Sequence, residues 1–124
     1  MSSIEAALKD AMAIDGAIGA AIVDADSGMA LGTLGATSDL DLNLAAAGST
    51  DLVRATRRGL DLLGLHDQAL EDTLTTLTRQ YHLIRPLTRP GGRGLFLYLV
   101  LDRARANLAM ARHHARRIDA ELEI

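Results

Sequence analysis

Ala13–Gly35, AIDGAIGAAIVDADSGMALGTLG, changes its periodicity twice, and those changes decide the fold. Asp15-Gly16 stops whatever precedes it. From Ala17 onward Ile18, Ala20 and Ile22 share one side of a short run while Gly19, Ala21 and Val23 share the other, because successive strand side chains alternate. Both sides are apolar, so this strand is expected to be covered on both faces. Asp24-Ala25-Asp26-Ser27-Gly28 supplies turn chemistry, with Gly28 free to take positive φ, and Met29–Leu34 returns as a second strand. The apolar run Gly16–Val23 is far shorter than the ~20 residues a membrane-spanning helix needs. No basic leader precedes it, so it is not read as a secretory signal.

Working outward, Ser2-Ser3-Ile4-Glu5 reads as a capping box, with Ser2 accepting from the backbone and Glu5 reaching back. Ile4, Leu8, Ala11 and Met12 then recur at helical spacing, which predicts a first helix to about Ile14. Ser38 followed by Asp41 predicts a second helix start, running to Leu63 with Gly64 just past its end. Leu70–Thr78 is Thr-rich and half polar, suiting an edge strand, and Tyr81–Leu87 follows a tight turn at about Arg79-Gln80. Pro86 marks the end of regular pairing. The loop 88–94 is read as mobile from its composition. It leads into Leu95–Leu101, apolar on both faces and therefore expected at the centre of the sheet. Asp102 is read as the cap of a final helix with Leu108, Ala111, Ala115, Ile118 and Leu122 inward and Arg105, Arg112 and Arg116 outward. The order is helix, two strands, helix, three strands, helix; tight hairpins imply antiparallel pairing, and doubly apolar strands imply helices on both faces.

The second helix carries more apolar surface than one sheet can use. Asp51, Arg54, Arg58 and Asp61 fall on one narrow face, and two apolar stripes fill the rest: Ala45-Gly48-Leu52-Ala55-Gly59 and Leu42-Ala46-Val53-Thr56-Leu60. Covering a sheet takes one stripe, so the other implies a second surface, where Gly48 and Gly59 let another backbone come close. The competing reading is a helix sunk deeper into its own domain. An exposed Thr-rich edge strand would also be a liability in a monomer. The stripe Ala45, Gly48, Leu52, Ala55 and Gly59, with Leu74 and Thr76 of the edge strand, is therefore the candidate dimer interface.

Composition narrows the function. A chain of 124 residues with 48% hydrophobic content fits one domain, 1–124, able to bury roughly two-thirds of its unfolded surface. Cysteine is absent, which removes disulfides and thiolate metal sites and leaves the cytoplasm as the default setting. Phe96, Tyr81 and Tyr98 are the only aromatics, too few for stacking platforms along single-stranded nucleic acid. The net charge of −3 hides an asymmetry, since residues 79–117 hold nine Arg against one acid, Asp102. Those Arg either answer the acidic first half of the chain or meet an acidic or phosphate-bearing partner. Overall acidity and the lack of a helix-turn-helix or zinc signature argue against nucleic acid.

No catalytic constellation is legible. His113 and His114 are adjacent on a helix and point about 100° apart, unlike an i, i+4 chelating pair, so these two and His66 and His82 are read as surface residues and no metal is expected. Ser27 has no G-x-S-x-G frame. The glycines of GTLGATS and PGGRG lack the Lys-Ser/Thr of a phosphate-binding loop, so neither a nucleotide nor any other cofactor is implied. A small-ligand sensor would need a polar-lined cavity, and none can be identified in the sequence.

DGAIGAAIVDADSGMALGT, LTTLTRQYHLIRPL and the closing LFLYLVLDRARANLAMARHHARRI together resemble the Roadblock family of dynein light-chain-like proteins over almost the whole chain. The resemblance implies an α/β fold whose five-stranded antiparallel sheet has the order 2-1-5-4-3, with the second helix alone on one face and the other two helices opposite. It also implies homodimers or heterodimers that pair second helices and third strands into a continuous ten-stranded sheet. Members of this kind are dimeric platforms rather than enzymes, and bacterial ones are similar to partners and activators of small Ras-like GTPases. On that reading Arg54, Arg57 and Arg58 become the candidate partner contacts, since Arg forms bidentate pairs with carboxylates. Intrahelical pairing with Asp51 and Asp61 is the alternative.

Overall fold

The computed structural model describes residues 3–35, 40–88 and 94–123. Helix α1 (Ile4–Met12) opens on Ser3, whose hydroxyl accepts from the Ala6 amide; Ser2 lies outside the described residues. The helix ends earlier than the expected Ile14, in a tightened turn where the Ile14 amide donates to Ala11 O. Strands β1 (Ala17–Asp24) and β2 (Ala30–Gly35) pair antiparallel. Their turn is organised by Asp24: one carboxylate oxygen accepts from the Asp26 amide and the other from the Ser27 hydroxyl, while its carbonyl accepts from Gly28 at φ +77°.

Helix α2 (Leu42–Leu62) begins on Asp41, whose carboxylate accepts from the Asn43 and Leu44 amides. Ser38 lies outside the described residues. At the other end Gly64 takes φ +73°, its amide reaching Asp61 O while the Leu65 amide reaches Leu60 O. That double closure satisfies two of the last helical carbonyls and is why the helix stops there. Strands β3 (Thr73–Thr76), β4 (Gln80–Pro86) and β5 (Leu95–Asp102) follow. β3 is shorter than the expected Leu70–Thr78, because Glu71 O and the Asp72 carboxylate turn aside to Arg85 and Arg112. The loop expected to be mobile falls largely on residues 89–93, outside the described residues.

Asp102 does not cap the last helix. Its carboxylate and carbonyl accept from Ala104, Arg105 and Ala106 in a separate turn, and helix α3 (Leu108–Glu121) begins one turn later on Asn107, whose side chain accepts from Met110. The turn exists because Arg103 is held back against the β3–β4 hairpin, its guanidinium donating to Leu77 O and its amide to Arg79 O. Arg105 consequently lies before the helix rather than on its outer face.

The sheet is antiparallel throughout, with the order β2-β1-β5-β4-β3. Both doubly apolar strands are interior, as their patterns require. Ile22, Leu83, Leu97 and Leu99 face α1 and α3, where they meet Ala7, Ala11, Ala111 and Ile118. Ala21, Val23, Ile84, Phe96 and Val100 face α2 alone, against Leu42, Ala46 and Val53. Two ionic ties hold α3 down. Buried Asp119 accepts from the Arg85 guanidinium and from both the amide and hydroxyl of Thr88, and Arg112 grips Asp72 with two parallel bonds of 3.0 and 3.2 Å.

Candidate interaction site

Helix α2 packs toward β1 and β2, and Arg54 fixes it there. The Arg54 guanidinium donates to Ala25 O and Asp26 O at 2.8 and 2.6 Å, tying the helix to the β1–β2 turn. Because the helix leans this way, the sheet toward β4 and β3 is left open beneath its other flank. A groove of about 460 Å³ results, walled by Leu44, Ala45, Gly48 and Leu52 of α2 and floored by Thr75, His82, Ile84 and Tyr98.

The two apolar stripes of α2 separate as the spacing implied. Leu42, Ala46 and Val53 are buried in the core and Thr56 and Leu60 of the same stripe half-buried, whereas Gly48, Leu52 and Ala55 are exposed and Ala45 and Gly59 half-buried. A methyl group built at Gly48 or Gly59 would meet nothing within 4 Å. The reading of a helix sunk on all sides is therefore incorrect. Leu44 beside the stripe is 71% exposed, an apolar cost in water that a partner would remove. β3 is an edge strand without a charged residue. Of its two candidate residues, Leu74 packs partly against the core on the α1/α3 side and Thr76 is exposed; Thr75 is the one that faces the groove.

The three candidate partner arginines do not form one cluster. Arg54 is consumed by the turn, on the flank of α2 away from the groove. Arg57 lines a second depression with Leu60, Pro86 and Leu87. Arg57 and Arg58 are exposed, and neither makes a side-chain hydrogen bond or ion pair among the described residues. Intrahelical pairing does not occur either: Asp61 lies 3.4 Å from His66 instead.

His82 is half-buried rather than on the surface, and sequence reasoning missed it. Its Nε2 stands 2.9 Å from Gln80 Oε1, which can only accept, so Nε2 carries the proton and Nδ1 accepts from the Tyr98 hydroxyl at 2.8 Å. Burial lowers the His82 pKa from its ordinary value and raises that of Tyr98. The available signal was the period-two face Gln80, His82, Ile84, which puts the imidazole under α2.

This architecture has solved counterparts. A Roadblock/LC7 domain from Streptomyces avermitilis superposes with a TM-score of 0.78 at 14% identity, covering 96% of this chain and 93% of that one. The chain has the Roadblock fold. MglB of Myxococcus xanthus matches with a TM-score of 0.74 at 19% identity, over 93% of this chain and 77% of its own. The gliding protein MglB of Thermus thermophilus gives 0.73 at 21%, over 91% and 80%. No family model and no curated protein matches the sequence.

Within this Roadblock fold part of the Arg-rich segment is held by the chain's own acids and carbonyls, while Arg79, Arg105 and Arg116 are exposed. Arg85 and Arg112 hold Asp119 and Asp72, Arg117 lies 3.7 Å from Glu121, and Arg103 sits over the Tyr81 ring while donating to Leu77 O. Arg89 and Arg93 lie outside the described residues. Among the described residues no cluster of three or more His, Cys, Asp or Glu is arranged for a metal, and no helix is long and apolar enough to cross a membrane.

Proposed function

We propose that this chain is a non-catalytic, single-domain interaction module of the cytoplasm that forms a homodimer and, as a dimer, binds and regulates a small Ras-like GTPase. One observation carries the dimer: the stripe Ala45, Gly48, Leu52, Ala55 and Gly59, exposed at its three middle positions and half-buried at its ends, runs beside an open groove and an uncharged edge strand. A second copy would satisfy all three at once, covering apolar surface and extending the sheet across β3. The GTPase reading rests on the sequence resemblance. Arg57 and Arg58 remain the contacts to test, because their guanidinium groups are free to pair with acidic side chains of a partner. Arg54 is better placed to hold α2 in position.

Size-exclusion chromatography with light scattering tests the dimer. A dimer at micromolar concentration that Leu52→Arg converts to a folded monomer supports it, and a wild-type monomer refutes it. For the partner, small GTPases encoded in the same genome are purified, loaded with GTP or GDP, and assayed for capture and hydrolysis. Binding by the wild type that is lost in the Arg57→Glu, Arg58→Glu double variant supports the assignment. Capture unchanged by that variant removes these residues from it.

A further inference from the structure

His82 sits where a second copy would cover it, and both of its ring nitrogens are already committed. With Nε2 donating to Gln80 Oε1, Nδ1 of the neutral imidazole accepts from the Tyr98 hydroxyl. A proton on Nδ1 reverses that bond, the Tyr98 oxygen then accepting, and leaves the Tyr98 hydroxyl hydrogen to find another acceptor, which the open groove supplies as water and a covered one does not. The added proton also places a charge in a groove whose α2 wall is Leu44, Ala45, Gly48 and Leu52. In the free chain the groove is open and water reaches the ring. Once a second copy closes it, the same charge has no water to solvate it.

We propose that His82 makes self-association pH-dependent: the dimer holds while the imidazole is neutral and loosens as it takes up a proton. The proposal rests on the homodimer reading above and adds its regulation.

The charged and titratable neighbours do not reverse the sign. On β3 the facing residue is Thr75, paired directly across from His82. On β5 the facing residues are Tyr98, which donates to the imidazole, and Val100, while Asp102 stands opposite Gln80 with its carboxylate accepting from the Ala104 amide. On α2 the one acid lining the groove is Asp41, whose carboxylate oxygen is engaged by the amides of Asn43 and Leu44. No carboxylate is therefore bonded to the imidazole to hold an added proton. The burial that already lowers the His82 pKa in the single chain acts more strongly in the covered one. His66 and His113 are exposed, and His114 lies in the depression between α1 and α3, away from this groove.

Linkage sets the direction and scale. A dimer that excludes protons its monomers accept weakens as pH falls through the His82 pKa of the free chain, which burial sets below the ordinary histidine value of about 6.5. Each further pKa unit lost on closure contributes up to a factor of about ten per histidine, and a symmetric dimer has two.

Sedimentation equilibrium of the full chain at pH 8.0 and 5.5 tests this, comparing wild type with His82→Gln. Gln keeps an acceptor for Tyr98 and a donor for Gln80 but cannot be charged at either pH. The expected result is a wild-type dimer whose Kd rises about tenfold or more at pH 5.5, and a His82→Gln dimer whose Kd stays flat. A dimer with the same Kd at both pH values, or a pH dependence that persists in His82→Gln, overturns the proposal while leaving the homodimer standing. A wild-type monomer at pH 8.0 overturns both. Should His82→Gln fail to fold, the wild-type imidazole is titrated by NMR in dilute and concentrated samples. A lower pKa in the concentrated sample supports the proposal, and equal values overturn it.

Discussion

The two faces of the sheet are built to different standards of closure. On one, α1 and α3 seal the layer, and Asp119 and Asp72 pin α3 through Arg85, Thr88 and Arg112. On the other, α2 works alone, leans toward β1 and β2, and leaves His82, Tyr98 and Thr75 in an open groove. A face that needs nothing further spends its polar groups on its own helices. A face left half-covered keeps apolar side chains such as Leu44 and Leu52 in water, a cost that covering them would remove.

The contrast breaks most sharply at Asp119. Replacing it with Ala leaves the Arg85 guanidinium, already holding a buried unpaired Nε, without its carboxylate. Denaturant unfolding should show a loss of about 3–5 kcal/mol, the range for stripping one partner from a buried ion pair. Arg54→Ala is a milder break on the open face, because this guanidinium is exposed and only its two bonds to the β1–β2 turn are lost. A loss of about 1 kcal/mol is expected by the same measurement, together with faster amide exchange at Ala25 and Asp26. Gly48→Ala separates fold from assembly by sign. With open space at Cβ, it should stabilise the dilute protein by roughly 0.5–1 kcal/mol through helix propensity, yet weaken any dimer that brings a second backbone to that position.

The smallest effect is on pH. Burial lowers the His82 pKa in the folded chain, so the unfolded state binds more protons below about pH 6.5, and dilute-protein stability should decline as pH falls from that value through the lowered one. Thermal melts of wild type and His82→Gln between pH 8 and 5 check this, the variant showing the flatter profile.

What could be read in the residues and what could not follow from the same contrast. β1 and β5 were legible because two apolar faces on a short run have one home, the sheet interior. The exposed stripe of α2 was legible because a helix has more circumference than a sheet can cover. Arg54 was not, since the spacing gives its angle on the helix but not the carbonyls of Ala25 and Asp26 waiting beside it. Asp102 and Asn107 are both good caps, and the choice fell to Arg103, whose reach to Leu77 O is a tertiary contact. The groove floor was missed because His82 and Tyr98 come together only when β4 and β5 pair.

The strand order also dictates a timetable for synthesis. β1–β2 and β3–β4 are hairpins that close locally, but neither is next to the other until β5 slides between them, pairing with β1 on one side and β4 on the other. The central ladder joins Ala17 to Leu101, so on the ribosome the layer cannot be completed until the chain has emerged through Asp102. Until then the inner edges of both hairpins stand open, and the nascent chain is most vulnerable to aggregation in the interval before Leu95–Asp102 appears.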